Sequence, residues 1–327
     1  MLTVGAAPLS WGVFEGDARA NPAWAVVLDE IAEAGYEQLE LGPIGFLPED
    51  PQRLKVELDT RGLSLTAGFV YEHMHDPDHY DTVLRNTRRV GEVLAALDAD
   101  YLVIIDRMVP ERQRTAGRSE DAIRLGSGAW DRLVTTIATV AEIAVEEFGL
   151  RPVLHPHCGT HIEFSDEIEK ALTALAASQI GLCIDTGHTI VAGMQSAELA
   201  SQYAERLEYF HLKDVHADAL RRMRDEHLEF DDALATGLFC PLGQGIVDFK
   251  ALRERISTHG FVGSATVEQD PDPQAAFASG LTAARESLAF LREIGLAAAL
   301  DAHDDEIPTR QPKASGNTES APPRKRP

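Results

Sequence analysis

Ile180-Gly181-Leu182-Cys183-Ile184-Asp185-Thr186-Gly187-His188 is an apolar run that stops on a carboxylate. A buried strand has no packing reason to end this way, because an ionised carboxylate is costly to bury unless it is paired or coordinates a metal. The pattern recurs along the chain. Val153-Leu154 leads into His155-Pro156-His157, Leu207 to Phe210 into His211-Leu212-Lys213-Asp214, and Phe261 to Val267 into Glu268-Gln269-Asp270. Such endings in chain order suggest side chains converging on one divalent cation at one end of a parallel barrel.

Working outward, short β-type runs alternate with longer helical patterns. The expected strands are Thr3–Pro8, Gln38–Leu41, Ser64–Phe69, Tyr101–Ile105, Pro152–His155, Gly181–Ile184, Tyr209–His211 and Ser264–Glu268. Between them, apolar residues recur at three- and four-residue spacing, as in Trp24, Val27, Leu28 and Ile31, or Leu133, Ile137, Val140 and Ala144. Gly35, Gly62 and Gly149 fall just after such segments, where a left-handed helix cap favours glycine. Strict strand–helix alternation implies a parallel sheet, and the number of units favours a closed (β/α)8 TIM barrel over residues 1–296. A doubly wound sheet is the competing architecture, but it would show a Gly-rich phosphate turn after its first strand. Here that strand leads into Leu9-Ser10-Trp11-Gly12-Val13-Phe14. The connection Asp214–Gly245 is too long for an ordinary loop and reads as a functional segment or lid. Residues 297–327, rich in Pro, Ser, Asp and basic side chains, read as a disordered tail.

Composition bounds the function. The 327 residues carry a formal charge of −23, which argues against a nucleic-acid partner. No apolar stretch approaches the roughly 18 residues of a membrane span, and the start lacks the pattern of a signal peptide. Cys158, Cys183 and Cys240 show no paired spacing and read as reduced thiols of a cytoplasmic protein. The expected partner is a small molecule, and a homo-oligomer stays open.

The chemistry lies at the strand ends. His155, Asp185, His211 and Glu268 form a mixed histidine–carboxylate set suited to Mn²⁺, Co²⁺, Fe²⁺ or Zn²⁺ rather than Ca²⁺. Taken singly, each has a plainer reading: an aspartate after a strand is often a helix N-cap, and a lone histidine is often a satisfied core residue. His188 follows Asp185 across Gly187, whose missing side chain allows a tight turn and a close substrate approach. Lys213 shares the inward face with His211 and can stabilise an oxyanion, and His157 can donate to a substrate hydroxyl. Glu40 and Glu163 are further carboxylates near the mouth; Glu40 is either a catalytic group or a partner orienting a ligand. Trp11 and Phe14 either wall a sugar site or pack in the core. Metal, histidines and lysine, with no nucleophile triad or phosphate loop, point to proton transfer beside a polarised carbonyl. Isomerisation, epimerisation and loss of a β-hydroxyl share that first step.

These motifs resemble the xylose-isomerase-like TIM barrel superfamily. The wording His155-Pro156-His157-Cys158-Gly159-Thr160, with Asp185-Thr186-Gly187-His188, His211-Leu212-Lys213-Asp214, Leu242-Gly243-Gln244-Gly245 and the opening Ala7-Pro8-Leu9-Ser10-Trp11-Gly12, is similar to its inosose dehydratase (2-keto-myo-inositol dehydratase) branch. The resemblance implies that Asp185, His211 and Glu268 are metal ligands and that His188 binds substrate. Many relatives place a glutamate first among the ligands; here either His155 binds or Glu163 reaches back in its place. It further implies loss of water from scyllo-inosose to a diketone with Mn²⁺ or Co²⁺. A keto-sugar isomerase or epimerase, β-elimination of a 3-keto-glycoside, or a catalytically dead barrel that binds a metabolite are the alternatives.

Overall fold

In a computed structural model of the chain, residues 1–271 and 276–298 are described. Eight parallel strands close into a barrel in chain order: β1 (Thr3–Ala6), β2 (Gln38–Glu40), β3 (Ser64–Glu72), β4 (Tyr101–Asp106), β5 (Arg151–Leu154), β6 (Gly181–Asp185), β7 (Leu207–Leu212) and the last, Ser264–Val267, which pairs with β1. Each expected strand is present, with ends shifted by a few residues. The (β/α)8 reading therefore holds, and the doubly wound alternative falls away.

The helices form where the apolar stripes lie. Trp24–Ala34 buries Val27, Leu28 and Ile31 and ends on Gly35 at φ 92°. Ser127–Phe148 buries Leu133, Ile137, Val140 and Ala144 and ends on Gly149 at φ 68°. Each buried Val, Leu or Ile among them contributes roughly 1.5–3 kcal/mol relative to exposure. Inside the barrel, Ala67, Val103, Ile105, Val153, Cys183 and Tyr209 form a separate packed layer. That layer floors the mouth, so polar groups at the next level are held on a solid base rather than over a channel.

The connection after β7 is ordered rather than loose. It makes a two-stranded antiparallel ribbon, β8 (Asp214–Val215) with β9 (Phe239–Cys240), around helices Ala217–Asp225 and Phe230–Ala235. The Asp214 carboxylate accepts amides from Val215, Gly243, Gly245 and Val247 at 2.9–3.0 Å. A Cβ on Gly245 would lie 2.3 Å from Asp214 Oδ1, so the glycine is a packing requirement. The strand Ser264–Val267, β10 in chain order, then completes the barrel, and Leu2 bridges to Ala297. The expected tail lies outside the described residues from 299 onward. Among the described residues no helix is long and apolar enough to cross a membrane.

Candidate active site

His155, Asp185, His211 and Glu268 come together at the carboxyl ends of β5, β6, β7 and β10, all nearly fully buried. His155 Nε2 lies 3.5 Å from Asp185 Oδ2, and His211 Nδ1 lies 3.1 Å from Glu268 Oε2 and 4.0 Å from Asp185 Oδ2. The two oxygens of Asp185 divide their work. Oδ1 accepts the His188 amide at 2.8 Å and caps the helix Thr186–Val191, while Oδ2 faces the site. The helix-cap reading of this aspartate is thus realised through Oδ1, while Oδ2 stays directed at the site.

Lys213 sits among the carboxylates. Its Nζ is 3.1 Å from Asp185 Oδ2, 2.5 Å from Glu268 Oε2 and 3.8 Å from Asp270 Oδ2. Thr186 holds the Lys213 backbone from both sides, donating to its carbonyl at 2.6 Å and accepting its amide at 2.9 Å. Burial opposes the ammonium charge, but Asp185, Asp270 and Glu268 outweigh it and keep Lys213 protonated well beyond the ordinary lysine range. Burial likewise opposes charge on His211, yet Glu268 and Glu40 raise it to about 10. Burial and neighbouring carboxylates push Asp270 up to about 6. Negative groups crowd this cluster beyond what Lys213 balances.

The donor set fits a divalent cation. Glu40 Oε1 lies 2.8 Å from His211 Nε2, which leaves His211 Nδ1 aimed at the cluster, 3.1 Å from Glu268 Oε2. A carboxylate on the far nitrogen is how metal-binding histidines are commonly oriented. His211 shares one group of closely spaced ligand atoms with Glu40 and Glu268 and another with His155 and Cys183.

Several expected roles are corrected by position. Glu40 is fully buried behind His211, 2.8 Å from its Nε2, and does not line the cavity, a position that matches the orienting partner of its two expected readings. Glu163 does not reach back to the cluster. Its oxygens accept the Gly117 and Gly159 amides at 2.6 and 2.9 Å beside the buried Arg112 guanidinium. Trp11 is fully buried, with Nε1 donating to Glu30 at 2.6 Å and its ring against Gly280; it belongs to the core, not to a sugar wall. Gly187 makes room for Lys213 and Phe239, whose atoms a Cβ would meet at 2.6 and 2.7 Å, rather than for substrate. His188 stands behind His157, with ring centroids 3.7 Å apart, and does not border the cavity.

The cavity over this cluster measures about 630 Å³ and is bordered by His155, His157, His211, Lys213, Glu268 and Phe14. His157 Nδ1 lies 2.7 Å from the Cys158 carbonyl; donating there leaves Nε2 of the neutral ring as an acceptor. Burial holds the His157 imidazole neutral, down to about 3. Tyr71, Arg107, Asp231 and Asp270 also line the cavity and went unassigned in the sequence. Tyr71 continues the inward alternation of Ala67 and Phe69, and Asp270 follows Glu268 by two, so both carried a readable signal. Arg107, stacked 5.0 Å from the Tyr71 ring centroid, and Asp231, on the helix Phe230–Ala235, carried none.

A closed parallel barrel with a buried histidine–carboxylate–lysine cluster at its mouth defines a class of carbonyl-directed barrel proteins. A family model described as xylose isomerase-like TIM barrel matches residues 28–294, and the chain belongs to that family. It is 30% identical over 279 residues to the inosose dehydratase of Geobacillus kaustophilus (strain HTA426), covering 84% of this chain and 89% of that protein. It is 31% identical over 252 residues to the rhizopine catabolism protein MocC of Rhizobium meliloti, covering 76% of this chain and 75% of that one. Its fold is similar to that of the IOLI protein with a binding zinc atom, at TM-score 0.68 and 14% identity, over 90% of this chain and 98% of that one.

Proposed function

We propose that this protein is a metal-dependent hydro-lyase that removes water from a keto-inositol such as 2-keto-myo-inositol. The observation that carries the reading is the convergence of His155, Asp185, His211 and Glu268 around the Lys213 ammonium on a cavity that His157 also lines. The named relatives support the substrate class.

His155, Asp185, His211 and Glu268 would hold the cation, with Mn²⁺ or Co²⁺ preferred over Zn²⁺ or Fe²⁺. When bound, it supplies Lewis acidity to the substrate carbonyl. The protein's own groups then divide the proton transfers. His157 Nε2, its lone pair exposed by the bond from Nδ1, takes the proton from the carbon beside the carbonyl. The C–H electron pair moves towards the carbonyl oxygen, and the Lys213 ammonium stabilises the charge that develops there. The His157 imidazolium formed in that step returns its proton to the departing β-hydroxyl, the C–O bond breaks to release water, and the resulting enol relaxes to the diketone. Phe14, Phe69 and Phe230 border the same cavity and limit water at the reacting carbon. The three cysteines are unpaired and buried, which supports a reducing compartment such as the cytoplasm.

Incubation with 2-keto-myo-inositol and Mn²⁺ or Co²⁺ is expected to yield the diketone, and Asp185→Ala to lose activity and metal together. Failure to turn over with any divalent metal would reject the reading. Solvent deuterium entering recovered sugar without water loss would favour an epimerase or isomerase instead.

A further inference from the structure

A second group of metal-ligating side chains lies behind the barrel wall. On β4 the alternation turns Ile105 inward to the barrel layer, so Asp106 faces outward. There it meets two histidines from separate connections, His75 after β3 and His161 after β5. Asp106 Oδ2 is 3.1 Å from His161 Nδ1, and Asp106 Oδ1 is 3.8 Å from His75 Nδ1. The imidazoles cross at 65° with centroids 4.4 Å apart. One ligand atom from each of the three side chains falls within 4.8 Å of the others.

Hydrogen bonding preassembles this group. The Asp106 carboxylate also accepts the Met74 amide at 3.2 Å and the His161 amide at 3.1 Å, so both histidine-bearing loops are tied to it. His75 Nδ1 is buried with no hydrogen-bond partner, a state that native structures rarely leave unexplained. The His75 side chain keeps 20% of its surface exposed, which gives an ion and one water a route in.

We propose that His75, Asp106 and His161 form a second divalent-metal site, of the zinc class, distinct from the cluster at the mouth. Two imidazoles and one carboxylate suit Zn²⁺ in a tetrahedral site with water in the fourth position, and disfavour Ca²⁺ and Mg²⁺. The ion would cross-link two loops to the end of β4. Arg107 and Met108, next in the chain after Asp106, border the cavity, so the site would brace one wall of it. The role is structural: no group of this cluster borders the cavity.

The test isolates this site from the one at the mouth. Metal-stripped Asp185→Ala protein, dialysed against Zn²⁺, is expected to retain about one equivalent per chain and to gain thermal stability. Asp185→Ala with His75→Ala is expected to bind less than half an equivalent and gain none. Anomalous scattering at the zinc edge from crystals of the zinc-loaded parent protein, whose folding no substitution disturbs, should show a peak between His75, Asp106 and His161. Absence of that peak, or equal zinc uptake by the two variants, would overturn the proposal whatever the enzyme's activity.

Discussion

His211 serves the cluster through both ring nitrogens, one bound by Glu40 and the other aimed at Asp185 and Glu268. Such dual engagement makes it intolerant of substitution, whereas Lys213 can be probed without removing a ligand. Lys213→Met is expected to lower kcat by about 10²–10³-fold, in line with loss of one oxyanion-stabilising group. Metal content, measured on the purified variant, should stay at the parent level. Glu163 offers a different residue-scale test. Burial raises its carboxyl from an ordinary 4.5 to about 7, against the Gly117 and Gly159 amides and Arg112, which act to lower it. Between those pH values the folded chain binds more protons than the unfolded one, so stability from this group falls as pH rises. The full loss is on the order of 3 kcal/mol. Urea unfolding from pH 4.5 to 8 should show a flatter profile for Glu163→Gln than for the parent. Parallel profiles would contradict the raised value.

At the scale of elements, the connection from β7 to β10 depends on Asp214. Its four backbone amides pin the ribbon and the Leu242-Gly243-Gln244-Gly245 turn to the barrel rim. In Asp214→Asn an NH2 group replaces one acceptor oxygen and leaves two amides unpaired, at about 1–3 kcal/mol each. Limited proteolysis should then cut within residues 217–245 faster than in the parent, and KM should rise because Phe230 and Asp231 border the cavity. The strands themselves were legible, because apolar runs of strand length bounded by glycine caps leave little choice. The two helices in this connection were not. Ala217–Asp225 carries three arginines and buries just Ala219, Leu220 and Met223, too few apolar positions to stand out as a helical stripe.

For the whole molecule, closure joins the first strand to the last: β1 pairs with β10 from Thr3 to Ala6, and Leu2 bridges to Ala297. All eight parallel pairings are complete by that point. A chain ending at residue 298 is therefore expected to match the full chain in Tm and kcat/KM, measured by thermal unfolding and the dehydration assay. A drop in either would place residues 299–327 within the working molecule.

Local pattern was enough to specify the barrel, since the strand and helix periods, the glycine caps and the polar strand endings are all short-range signals. It was enough, too, to pick out His155, Asp185, His211, Glu268 and Lys213, because an ionisable residue closing an apolar run conflicts with burial and has to be resolved by a partner. The fate of Trp11, Glu40 and Glu163 was decided by tertiary packing. Each ends or follows a strand in the chain, but a partner distant in sequence claims its polar atoms: Glu30 for Trp11, His211 for Glu40, and Gly117 and Arg112, together with the nearby Gly159, for Glu163. The same holds for the outward turn of Asp106 towards His75 and His161. Which face of the wall a strand-end carboxylate serves depends on its place in the pleat and on what the neighbouring loops bring to it.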